Sequence, residues 1–244
     1  MTNDEKRMEA VRLMKSRAGR NSYTNGGKRQ YFFGYPNEGD DGYSDCSSAV
    51  RESIRRAAGI YIGSNTDAQI EKLMSGKAGK LVDAASGGRI YPDESVLKPG
   101  DCLYFRGNRN HVKNVGHVEM YTGKNECWGH GSGIGPKKHD LKEYCEYRAK
   151  DMSKRYLCAV RWIPDDEDEG KPNLHDYQTV SAGTWPIYKE LPKEQETVGT
   201  VEEGEEVRVY GEIDGYVGIK TAGGEKGYVR KEAFETAAED ETAG

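Results

Sequence analysis

No run of apolar residues in this 244-residue chain approaches the ~20 that a membrane-spanning helix needs, so no membrane span is expected. The first residues, Thr2-Asn3-Asp4-Glu5-Lys6-Arg7, lead into a charged helical pattern with no apolar h-region, so no signal peptide is expected. Cysteine is sparse: five residues, an odd number, without the spacing of a disulfide framework. They read as free thiols from a reducing compartment. A basic patch interleaved with aromatics is also missing, so nucleic acid is not an expected partner.

What the chain does have is charge, unevenly spread. Residues 1–164 carry 28 Lys and Arg against 20 Asp and Glu, whereas everything beyond is acidic, beginning with Asp165-Asp166-Glu167-Asp168-Glu169. By itself this charge reads as ordinary surface solvation, and a cationic first part also suits an anionic polymer such as a cell wall or nucleic acid. Five consecutive acids between Pro164 and Pro172 cannot pack, so residues 164–176 read as a linker. The linker follows a domain over 1–163 and precedes one over 177–236. Residues 237–244, small and acidic, read as a disordered tail.

Apolar spacing predicts a helix from Met1 to about Ala18 and another after the capping sequence Asn65-Thr66-Asp67. Strands are predicted at Cys102–Phe105, Val115–Tyr121, Glu126–His130 and Leu157–Trp162, with Thr122-Gly123-Lys124-Asn125 as a hairpin turn. Alternation puts Val118 and Met120 on one face of the second strand and His117, Glu119 and Tyr121 on the other. After the linker, short Val- and Tyr-rich strands about ten residues apart, with glycines at the turns, predict a small all-β barrel.

The stretch most suggestive of chemistry is Gly42-Tyr43-Ser44-Asp45-Cys46. Apolar residues then recur at Ala49, Val50, Ile54, Ala57 and Ala58, and Gly59 stands where a helix would end. Cys46 therefore sits at, or next to, a helix N-terminus, where unpaired N–H groups and the helix dipole favour a thiolate nucleophile. A nucleophilic thiol needs a base, and the base an orienting group. His117 on an alternating strand is the candidate base; His111, in a polar loop, is a weaker one. His130, one hairpin away, is placed to accept the His117 Nδ1–H. A rival set, Cys127, His130, His139 and Cys145, has the residue types of a zinc site but not the spacing of a compact zinc module.

Tyr31-Phe32-Phe33-Gly34, Asp45-Cys46-Ser47-Ser48, Leu97-Lys98-Pro99-Gly100-Asp101, Gly116-His117-Val118 and His130 occur in this order. Over roughly residues 20–163 the chain thereby resembles the NlpC-type, papain-like cell-wall endopeptidases. That resemblance implies an α+β papain-like fold, no metal or cofactor, and a peptidoglycan stem peptide as substrate, cut typically between γ-D-glutamyl and a diamino acid. It implies Cys46 as nucleophile, His117 as base and His130 as orienting residue. Tyr31 would help hold the oxyanion or substrate, and Asp45 and Ser47 the free amine of the stem peptide. The chain departs from the family's pattern at Ser48, where glycine is usual, and at Phe33 and Tyr35, where tryptophan and a second glycine are usual. Tyr35 and Tyr43 therefore stand beside Tyr31 for its role.

The C-terminal strands, with Gly204, Val207-Arg208-Val209, Gly215-Tyr216-Val217 and Gly227-Tyr228-Val229, resemble a bacterial SH3-like wall-binding domain. Trp185, Tyr188, Tyr210, Tyr216 and Tyr228 either line its groove or fill its core. A catalytic domain followed by a wall binder suits a phage or prophage lysin, made in the bacterial cytoplasm and acting at the wall after release. An N-acetylmuramoyl-L-alanine amidase on a related Cys/His core, and a non-catalytic wall-binding or virion protein, are the alternatives.

Overall fold

The computed structural model describes residues 1–85, 88–107, 115–166, 177–189, 196–213 and 215–235. His111, most of the acidic linker and the C-terminal tail lie outside them. The chain divides into two compact units; among the described residues the first carries the α-helices and nine strands, the second six strands.

In the first unit, helix α1 (Asn3–Ser16) starts at a capping box: Thr2 Oγ accepts from Glu5 N–H, and Glu5 reaches back to the Thr2 N–H. Ala10, Val11, Leu13 and Met14 bury one face, and the helix packs on the helix that begins at Cys46. Arg7 ties it to the end of the unit by donating to the carbonyls of Ile163 (3.0 Å) and Pro164 (2.7 Å). Strands β1 (Asn21–Tyr23) and β2 (Gly42–Ser44) pair in parallel, and β2 runs directly into α2 (Cys46–Ala58). Gly59 ends α2 in the left-handed region at φ 72°, its N–H returning to Arg55 O. A Cβ at Gly59 would touch nothing. Gly59→Ala is therefore expected to cost only the backbone strain, about 1 kcal/mol in urea unfolding.

Helix α3 (Thr66–Met74) follows its predicted cap, Asn65 Oδ1 accepting from Ala68 N–H. The remaining elements are β3 (Lys80–Ala84), β4 (Cys102–Arg106), β5 (Val115–Gly123), β6 (Glu126–Gly129), β7 (Ile134–Gly135), β8 (Lys137–Asp140), α4 (Leu141–Ala149) and β9 (Tyr156–Arg161). They give a six-stranded antiparallel sheet, β3-β9-β4-β5-β6-β8, while β7 joins β1 in a small three-stranded sheet. Lys124 and Asn125, both at positive φ, make the β5–β6 hairpin turn. Leu103, Phe105, Tyr121, Cys127, Tyr156 and Ala159 form a buried cluster with Leu141 and Cys145 of α4. The fold is α+β, as expected. The sequence reading did not include β1, β2, β3, β7, β8 or α4; α4 buries only Leu141 and Cys145, too little to imprint a helical period.

The second unit is all-β: β10 (Tyr177–Thr179), β11 (Thr184–Tyr188), β12 (Thr197–Glu202), β13 (Glu206–Ile213), β14 (Tyr216–Lys220) and β15 (Lys226–Arg230) pair in the order β10-β13-β14-β15-β11-β12. Among the described residues this order does not close into the expected barrel; β10 and β12 are its ends. Its core is aliphatic, with Val180, Ile187, Val201, Val207, Val217, Ile219 and Val229 buried together. Trp185 packs at the margin and donates to Ala182 O at 2.7 Å. No helix among the described residues is long and apolar enough to cross a membrane.

Candidate active site

Helix α2 places Cys46 at its first position, preceded by the N-cap Asp45. Asp45 Oδ1 accepts from Ser48 N–H (2.7 Å) and Ser47 Oγ–H (2.8 Å), while Ser48 Oγ accepts from Asp45 N–H (2.9 Å). Its other oxygen, Oδ2, takes Arg29 Nη1 at 2.8 Å. Burial alone would raise the Asp45 carboxyl, but these hydrogen bonds outweigh it and hold the group below the usual carboxylate range. The cap orders the first turn around the thiol, the most exposed of the five cysteines though still largely buried.

Strand β5 brings His117 to that thiol. Burial lowers the imidazole's proton affinity, but Cys46, by charge and hydrogen bond, and Glu119 more than reverse this and raise its pKa to about 9. His117 Nε2 donates to Glu119 Oε1 at 2.6 Å, so Nδ1 is the nitrogen left for Cys46. The sequence-predicted nucleophile and base are thus together.

The expected contact between His130 and His117 is not made. His130 does not orient His117. Its Nδ1 faces Ser44 Oγ at 2.7 Å and its Nε2 faces Gly133 O at 3.2 Å. A carbonyl only accepts, so Nε2 carries the proton and Nδ1 accepts from Ser44, which in turn takes Asn21 Nδ2 at 3.2 Å. Burial lowers the His130 pKa, consistent with this neutral form. His130 therefore fastens the chain after β6 to β1 and β2. Asp45 and Ser47, expected to meet a substrate amine, are buried and spent on the cap and on Arg29. Tyr31 is partly exposed, with its ring 4.6 Å from Tyr35 and its carbonyl accepting from Tyr43 N–H. Lys28 Nζ lies over Tyr35 and Tyr43. All three candidate tyrosines thus share one surface leading into β2.

Glu119 and Arg29 received no role from the sequence. Glu119 had a legible signal, since a residue two along a strand shares its neighbour's face. Arg29 had none, because nothing local ties it to Asp45, sixteen residues on. Among the described residues no three His, Cys, Asp or Glu side chains cluster as metal ligands would; His139 instead stacks on Tyr144 at 4.4 Å.

The sequence profile of the NlpC/P60 family matches residues 20–161. No curated protein matches the chain. Among solved structures it is similar to an NLP/P60-family protein, described as similar to lipoprotein, from Staphylococcus aureus subsp. aureus Mu50: 19% identity over 66% of this chain and 43% of that one, TM-score 0.43. It is similar also to NlpC1 from Trichomonas vaginalis, with 20% identity over 64% and 44% of the two chains and a TM-score of 0.44. A third is the NlpC/p60 domain of the peptidoglycan hydrolase SagA, with 19% identity over 64% and 97% and a TM-score of 0.39. The chain spans less than half the length of the first two.

Proposed function

The chain belongs to the NlpC/P60 family, and from that premise we propose that it is a peptidoglycan hydrolase that opens stem-peptide bonds through an acyl-enzyme on Cys46. The observation that carries this reading is the ring of His117 held next to a thiol at the start of α2. The Cys46 sulfur attacks the scissile carbonyl, and the Cys46 N–H at the positive end of α2 stabilises the oxyanion. Imidazolium His117 protonates the leaving amine; the neutral ring then activates the water that releases the acyl group. Tyr31, with Tyr35 and Tyr43, supplies the surface along which the peptide lies. Asp45 is already neutralised by Arg29, so recognition of a free stem-peptide amine falls outside its role here. The C-terminal unit is proposed to hold the enzyme on its polymeric substrate, raising the local bond concentration.

The deciding experiment is digestion of purified peptidoglycan followed by mass analysis of the fragments. Cleavage between γ-D-glutamyl and the diamino acid leaves a new amine on the diamino acid. Release of whole stem peptides from the sugar would make it an amidase, and intact wall would remove the hydrolase reading.

The raised His117 pKa sets the alkaline limb. Its proton is present below about 9 and lost above, so hydrolysis is expected to hold through pH 8 and fall by half near pH 9. Initial rates on wall substrate from pH 6 to 10 check this; a midpoint near 6.5, the ordinary imidazole value, would contradict it. The same shift contributes stability that is complete below pH 6.5 and disappears as pH rises through about 9, so thermal midpoints should decline across that window.

A further inference from the structure

Glu119 is fully buried, and in a dry site a carboxylate is costly unless paired. One of its oxygens accepts from His117 Nε2; the other, Oε2, has no hydrogen-bond partner among the described residues. Among the described residues the His117 ring is the group that hydrogen-bonds this carboxylate. The space the carboxylate occupies belongs geometrically to another residue. Met120 pairs with Trp128 across β5 and β6, so Gly129 lies one step along, beside Glu119. A Cβ built on Gly129 would fall inside van der Waals contact with the Glu119 carboxyl carbon and both its oxygens. Gly129 is not at positive φ, so no turn geometry demands glycine there.

We propose that Glu119 is the positioning residue of His117, and that position 129 is glycine because the Glu119 carboxylate fills the volume through which a side chain on β6 would reach the ring. This rests on the reading of Cys46 and His117 as nucleophile and base. One site beside the imidazole Nε2 is open to one polar group, delivered here along the histidine's own strand. His130, one residue beyond Gly129, is held instead by Ser44 and Gly133. The fixed Nε2–H···Oε1 bond turns Nδ1 toward the thiol.

The two positions give a specific test, because the three atoms nearest a Cβ at Gly129 all belong to the flexible end of Glu119, and Gly129→Ala can fold by pushing that end aside. Four quantities are read for wild type, Glu119→Gln, Glu119→Ala, Gly129→Ala and the double Ala variant. They are kcat and KM on soluble wall fragments, the His117 titration by NMR, and the rate of Cys46 alkylation by iodoacetamide. Glu119→Ala and Gly129→Ala are each expected to lower kcat on the order of 10²-fold with KM nearly unchanged. Each should also bring the His117 midpoint down from about 9 and slow alkylation. Glu119→Gln keeps an acceptor oxygen and should retain more kcat than Glu119→Ala while still losing the raised midpoint. In the Glu119→Ala background, Gly129→Ala should cost nothing further, because both act on one contact. Wild-type titration and alkylation in folded Gly129→Ala, or equal losses in both backgrounds, would overturn the assignment. If the wild type leaves wall fragments intact while titration and alkylation respond as stated, the hydrolase reading fails and the role of Glu119 stands.

Discussion

Cys46→Ala is expected to lower wall hydrolysis by about 10⁴-fold or more without unfolding the protein. The thiol takes no part in the cap that starts α2. That cap uses the Asp45 carboxylate, the Ser47 and Ser48 side chains and the Ser48 N–H, all of which survive the change. No other cysteine stands in for it: Cys102, Cys127, Cys145 and Cys158 are almost completely buried. Burial pushes the thiols of Cys102 and Cys127 well up, and that of Cys145 up to about 12. A thiol that stays protonated at neutral pH is a poor nucleophile. The variant also carries its own control on mechanism. Cys46 is the first of the interactions that raise His117, so its removal should drop the His117 titration well below about 9 while the Glu119 contact remains. His117→Ala should cost a similar factor, and the double variant little more than either, because nucleophile and base act as one unit. Wall digestion by folded Cys46→Ala at even a tenth of the wild-type rate would exclude an acyl-enzyme on this sulfur.

What could be read before the fold was known, and what could not, follows from the range of the interactions involved. Helix α2 was legible because its determinants are local: the Asp45 cap, apolar residues three and four apart, and Gly59 at the end. The β5–β6 hairpin was legible for the same reason, through alternation and the Gly123-Lys124-Asn125 turn. The Cys46–His117 meeting was expected from ordered motifs, not from spacing. The partner of His117 was misassigned because it depends on register across two strands. Alternation placed Glu119 on the face of His117, yet only the absence of a side chain at Gly129 leaves that carboxylate its place. His130 looked equivalent in sequence, and a small sheet of β2, β1 and β7, none of them predicted, gave it different partners. Arg29 reaches Asp45 for reasons equally invisible to any local window.

The turn signal Leu97-Lys98-Pro99-Gly100-Asp101 hides the larger stability effect. Asp101 is fully buried, and both its oxygens are gripped by Arg161, Nε at 3.0 Å and Nη2 at 2.9 Å. Oδ2 also accepts from Lys98 N–H at 2.8 Å. Arg161 also donates to Val96 O and Asp165 Oδ2, both at 2.9 Å, so one guanidinium joins the turn before β4 to the segment after β9. Burial pushes the Asp101 carboxyl up against the pull of Arg161, the mark of a pair whose desolvation cost consumes much of its attraction. Such a pair adds little net stability when whole and is expensive when halved. Asp101→Asn leaves Arg161 charged and uncompensated at that end, and is expected to cost about 3–5 kcal/mol in urea unfolding. The double change Asp101→Leu with Arg161→Met removes both charges and should recover part of that loss, though not the part carried by Val96 and Asp165. Equal or greater loss in the double variant would mean that the contacts to Val96 and Asp165, rather than the buried charge, dominate. A loss below 1 kcal/mol for Asp101→Asn would mean that water reaches the pair.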